Sequence, residues 1–213
     1  MLDLHAPVLR PEFGERLVRE VYRRDFRERD AAIQGRDSWK LERRQHFEEQ
    51  GNASRDALSR GDWDEALRLF ELRRDDLLAS AQEDVRRNSV FHRLRVVEKP
   101  FTPYVQWELH SLRQQAECGV KVHVLSSDMV AASEEGGLLP EVVILGGETL
   151  YEVIYTESGA PNGAVRYTDS EIVGSWESYI KELYRVGEDM MSYFAREVAH
   201  LPPPNTKTKT KTE

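Results

Sequence analysis

The spacing of apolar positions changes along the chain, and the change divides it. From residue 11 to residue 88 the spacing is helical. Phe13, Leu17, Val18, Val21, Tyr22 and Phe26 recur at three and four, with arginines on the opposite side. Gly35-Arg36-Asp37-Ser38 breaks this stripe. Asp37 or Ser38 is placed to cap a second helix carrying Trp39, Leu41 and Phe47. After a further break at Gly51-Asn52, residues 53–87 predict a helical hairpin. Its first helix ends in a tight turn at Gly61-Asp62, and its second runs to about Arg87. Residues 1–88 are therefore expected to be a helical region.

From Phe91 the period falls to two. Residues 92–98 predict a strand, and residues 102–117 a helix with Thr102 as its N-cap and Pro103 at the first position. Trp107, Leu109, Leu112 and Ala116 supply its inward face, and Gly119 ends it. Val120, Val122 and Val124 then alternate in a second strand. A strand–helix–strand crossover of this kind pairs parallel and right-handed. Residues 141–145 and 150–155 predict two more strands, and Pro161-Asn162-Gly163 a hairpin turn into an edge strand at 164–167. Thr168-Asp169-Ser170-Glu171 is a capping box for a closing helix that Gly187 kinks or divides. The fold class is α/β in the α+β sense: a helical region, then a small mixed sheet with a βαβ unit, a hairpin and a C-terminal helix. The α/β domain is expected over 89–200. Residues 201–213, opened by three prolines and closed by Lys-Thr repeats, are expected to be disordered.

Charge distribution narrows the function. The formal net charge is −8. Residues 1–100 hold 21 basic and 21 acidic side chains, whereas residues 101–200 hold 6 and 16. An acidic second half is a poor surface for phosphate backbones, so direct nucleic-acid binding is not expected. No apolar run approaches the roughly 18 residues that cross a bilayer. The first residues have neither a basic leader nor an apolar stretch, so no signal peptide is expected. Cys118 is the single cysteine, which excludes an internal disulfide and fits a reducing cytoplasm. The expected location is cytoplasmic, with no membrane association.

The motifs carry three resemblances. Gly61-Asp62-Trp63-Asp64-Glu65-Ala66-Leu67, with Phe70 three residues on, resembles the second-helix signature of tetratricopeptide repeats. Only one unit is visible, so a plain hairpin and a peptide-binding groove both stay open. Ala116-Glu117-Cys118-Gly119-Val120-Lys121-Val122 resembles the helix-to-strand pattern of half a phospholipase D-type phosphodiesterase. That resemblance implies a His-x-Lys-x4-Asp motif on a later strand. Here Leu139, Glu141 and Gly146 stand at those places, so the nucleophile and the phosphate-holding lysine are gone. The third resemblance covers about residues 58–200. Val96, Glu98, Pro100, Thr102, Tyr104 and Glu108 are similar to the recurring core of an uncharacterised actinobacterial family, catalogued as a domain of unknown function. Its members are often encoded beside helix-turn-helix regulators, which implies a regulatory setting. This chain departs from the family by having Gly146-Gly147 where many members carry an Asp pair.

Other chemistry finds little support. The six histidines lack paired ligand spacing, so no metal site is expected, and no glycine-rich phosphate loop occurs. No cofactor and no catalytic residues are assigned. Arg95, Glu98, Thr102, Tyr104 and Glu108 form the candidate ligand site, because the turn after a parallel strand is where open sheets place ligands. The alternative is structural: Thr102 caps, Tyr104 packs and Glu108 pairs with an arginine of the N-terminal helical region. Trp39, Trp63 and Phe70 are the candidate partner contacts. The expectation is a non-catalytic regulatory or protein-interaction module with a protein partner, a helix-turn-helix regulator being the candidate the resemblance implies. The rival is a small-molecule or nucleotide binder, or an unfamiliar enzyme, using the Glu98–Glu108 pocket.

Overall fold

The segment expected to form the second helix is a strand. Trp39 and Leu41 alternate with Lys40 and Glu42, and that period of two suits a pleat buried on both faces. The structure, a computed structural model, describes residues 4–206. Among these the strands are β1 (Glu15–Leu17), β2 (Ser38–Glu42), β3 (Phe91–Val97), β4 (Lys121–Ser126), β5 (Glu141–Leu145), β6 (Thr149–Tyr155), β7 (Pro161–Tyr167) and β8 (Glu188–Asp189). They make one mixed sheet in the order β1-β7-β6-β5-β2-β3-β4-β8. β2, β3 and β4 run parallel, and every other neighbouring pair is antiparallel.

The helices are α1 (Arg19–Ala31), α2 (Ala53–Ser59), α3 (Trp63–Glu71), α4 (Arg74–Arg86), α5 (Pro103–Glu117), α6 (Ser170–Val186) and α7 (Met190–Glu197). The first expected stripe is split. Leu17 pairs into β1 while Phe13, Val18 and Val21 are exposed, because helix begins only at Arg19. The long second helix of the hairpin is also divided, into α3 and α4. Gly187 divides the closing helix, and β8 adds to the sheet edge between its parts.

The hairpin turn expected at Pro161-Asn162-Gly163 lies earlier. Gly159 and Ala160 close on Thr156, and Pro161 already pairs with Tyr155. Gly163 serves another purpose. A Cβ there would stand 2.1 Å from the Leu17 carbonyl oxygen, at a φ of +91°, so glycine is what lets β1 lie against β7. The helix cap is Asp169, which accepts from the Glu171 and Ile172 N–H groups, in place of Thr168. Residues 201–206 of the expected disordered tail are described: Leu201 packs on the core and the Pro202 carbonyl accepts from Gln106. Residues 207–213 lie outside the described residues.

Two layers of helix cover the sheet. On one face α6 packs Trp176, Ile180 and Leu183 against Trp39, Leu41, Leu94, Val96 and Ile144. On the other face α5, backed by α2, α3 and α7, covers β3 and β4, while α1 covers β5, β6 and β7. The seam between α1 and α5 lies over β2 and β3. No helix among the described residues is long and apolar enough to cross a membrane.

Candidate functional site

Strand alternation sets the chemistry of the seam. With Trp39, Leu41, Leu94 and Val96 turned to α6, the intervening Lys40, Glu42, Arg93 and Arg95 must face the seam. Register places Lys40 beside Arg93 and Glu42 beside Arg95. Glu141, one step past the Leu41–Val142 pair, stands on the far side of Glu42. The helix α5 adds Tyr104 and Glu108, four residues apart on the face that meets the strands. The result is a cleft of about 400 Å³ over a charged floor.

The floor is paired. Arg95 is fully buried and holds the Glu108 carboxylate with two nitrogens, at 2.8 and 2.7 Å. Its third nitrogen donates to the carbonyls of Glu42 and Val96. Glu42 is gripped by Lys40 at 2.6 Å and by Arg93 at 2.7 Å. Burial pushes the Glu42 carboxyl up, but Arg93, Lys40 and Arg95 outweigh it and hold the group well below the usual carboxylate range. Glu108 goes the other way, raised by burial and by the neighbouring Glu42, with Arg95 offsetting only part. The Tyr104 hydroxyl donates to Glu49 at 2.9 Å and lies 3.4 Å from Glu108. Burial and these two carboxylates keep the phenol protonated. An ionised acid, a raised acid, the half-buried Arg93 guanidinium and a phenol hydroxyl thus meet one opening, with Arg95 buried beneath Glu108, which suits recognition of a polar, charged molecule.

Of the five expected ligand residues, Tyr104 and Glu108 line the cleft, Arg95 lies buried beneath Glu108, and Glu98 and Thr102 stand apart from it. Glu98 is exposed and pairs with Arg43 at 2.6 Å. Thr102 accepts from the Val105 N–H as the cap of α5 and donates to the Gln45 carbonyl. Thr102→Ala should therefore cost about 1 kcal/mol in urea unfolding, the usual worth of a cap. The response to any ligand of the cleft should stay the same. A lost response at unchanged stability would return Thr102 to the site.

Two of the three expected partner contacts, Trp39 and Phe70, are interior. Trp39 is 7% exposed and stacks on His92 with ring centres 4.0 Å apart, and Phe70 is 4% exposed against Trp107. Trp63 is half-buried against His110. The sequence reading missed Lys40, Glu42 and Arg93. Their signal was present in the charged positions alternating with Trp39, Leu41, Leu94 and Val96.

Comparison with known proteins gives a family and no activity. No curated protein matches the chain. The model of one family, described as Domain of unknown function (DUF6879), matches residues 24–195, a span that contains β2, β3 and α5 whole. The charged floor thus lies within the matched region, and the chain belongs to this family of unknown function.

Proposed function

We propose that this chain is a recognition module for a small charged molecule, bound in the seam over β2 and β3 without being turned over. The observation behind this reading is the contrast between the two faces of the same strands. One face packs Trp39, Leu41, Leu94 and Val96 against α6, with His92 as its one ionisable side chain on these two strands; the other buries Glu42, Arg95 and Glu108 and half-buries Arg93. Apolar residues of similar volume would stabilise such a position as well or better, so buried ion pairs beneath an open cleft argue for use rather than support. A regulatory setting, cytoplasmic and actinobacterial, is part of this reading, as is a phospholipase D-like core without its hydrolytic groups. Leu139 and Glu141, at two of those groups' places, are both buried.

Thermal-shift screening with a library of charged metabolites tests the proposal. At least one compound should raise the melting temperature of the wild type, and Tyr104→Phe, which keeps the ring and removes the hydroxyl, should blunt the shift. A library without effect, or one that acts equally on both proteins, would remove the reading.

A protein-interaction role rests on a separate surface. Helix α4 buries none of its residues, and Leu78 and Val85 are 40% and 78% exposed beside a groove of about 610 Å³. Exposed apolar surface of that kind marks contact sites. A partner held in stoichiometric amount by the wild type should be lost with Val85→Asp. Its equal retention would end this second reading.

A further inference from the structure

The charged cleft continues past Tyr155 into a second cavity of about 380 Å³, between α1 and the β5–β6 part of the sheet. Both cavities are lined by Arg19, Lys40, Arg93, Tyr155 and Pro161, so these residues form their junction. The second cavity has a different character. Tyr22, Phe26, Phe91, Val143 and Val153 wall it, and its charged lining is Arg19, Arg23, Lys40 and Arg93, with no Asp or Glu.

Charge is unbalanced at the junction. Lys40 and Arg93 share one carboxylate, that of Glu42. Arg19 reaches the Gln50 side-chain oxygen at 3.4 Å, and neither Arg19 nor Arg23 meets a carboxylate among the described residues. Arg19 and Arg23 lie one turn apart on α1, so both stand over the same opening. Glu48, Glu49 and Glu108 line the first cleft only, so the second cavity is the cationic side of the junction and draws an anion. The apolar wall beyond the cations draws hydrocarbon.

The geometry points to a small amphipathic acid as the occupant. Its anionic head sits at the junction of Arg19, Lys40 and Arg93, and its aliphatic or aromatic body lies along Tyr22, Phe26, Val143 and Val153. This rests on the ligand-binding reading above and gives it a ligand class. A free acid and an acyl lipid share that chemistry. The size of the recess, about 380 Å³ between α1 and the sheet, favours the free acid.

Titration calorimetry on the full chain tests it with octanoate, hexanoate, octanamide, octylamine and inorganic phosphate. Octanoate should bind, and each pair of methylenes removed should weaken binding about tenfold or more, from the transfer energy of hydrocarbon. Octanamide, octylamine and phosphate should each bind at least tenfold more weakly than octanoate. Arg19→Ala should weaken octanoate about tenfold and leave the melting temperature unchanged, since that guanidinium holds no carboxylate. Octylamine or octanamide matching octanoate would overturn the anionic head, and phosphate matching it would overturn the apolar body. Sedimentation with anionic phospholipid vesicles in the absence of octanoate binding would overturn the free acid. A charged metabolite that acts through Tyr104 while the octanoate series is silent would sink this inference and leave the cleft reading standing. Failure of both would sink both.

Discussion

Arg95→Met should lower folding stability by about 3–5 kcal/mol, the cost of leaving one member of a buried ion pair alone. Arg95 is fully buried and Glu108 is 6% exposed, so water cannot replace the lost guanidinium. The substitution also bares the carbonyls of Glu42 and Val96, which Arg95 now satisfies. The Glu108 carboxyl, already raised by burial, would rise further and be forced to take a proton. The loss should therefore be larger at pH 8 than at pH 5, because keeping that proton costs more as pH rises. Arg95→Met combined with Glu108→Leu should recover most of the stability, since both charges then leave together. The double variant should still fail to respond to whichever metabolite stabilises the wild type. Urea unfolding and thermal shift on the single and double variants read both effects. A single variant within 1 kcal/mol of wild type would refute the buried pairing, and a responsive double variant would reduce the pair to a structural part.

Glu141→Gln should remove a pH dependence of stability. The Glu141 carboxylate accepts from the N–H groups of Arg43 and Arg44 at 2.8 and 2.6 Å through one oxygen. Its other oxygen is buried and has no partner. Burial pushes the group up from 4.5 to about 7, with the two N–H groups opposing only part of that. The folded chain thus keeps a proton that the unfolded chain releases. Stability from this group is complete below about pH 4.5 and is lost as pH rises through about 7. A shift of that size corresponds to about 3 kcal/mol. Glutamine keeps the acceptor for both N–H groups and cannot ionise. The stability of Glu141→Gln relative to wild type should rise between pH 5 and pH 8 by an amount on that order. Two unfolding curves that stay parallel across this range would show that Glu141 titrates normally.

The legible parts of the fold were those where one periodicity ruled. β3, α5 and β4 were expected within a residue or two, because Val, Leu and Trp positions there match one template and Thr102 and Gly119 mark the ends. β2 was misread for a physical reason. Five residues offer too few repeats to tell a strand from a helix, and the arginines and glutamates around them favour helix locally. Its central place in the sheet comes from long-range pairing with β3 and β5, which no local propensity records. The site followed the same division. Arg95, Tyr104 and Glu108 could be singled out because they flank a strand-to-helix turn. Glu42, Lys40 and Arg93 were missed, since their meaning depends on β2 being a strand.

By itself the sequence determined the βαβ core, the strands that follow it and a helix opening after Thr168. These depend on side-chain type at short separations. Only the tertiary structure decided that residues 38–42 enter the centre of the sheet, so that Glu42 and Lys40 meet Arg93 and Arg95 at about fifty residues' separation. It also decided that Trp39 and Phe70 are core and that Arg19 and Arg23 overhang a cavity. Alternation along a strand decides which residues share a face, but strand order decides which faces meet. That order is set by burying the whole apolar surface at once, a global quantity that no window of the chain contains.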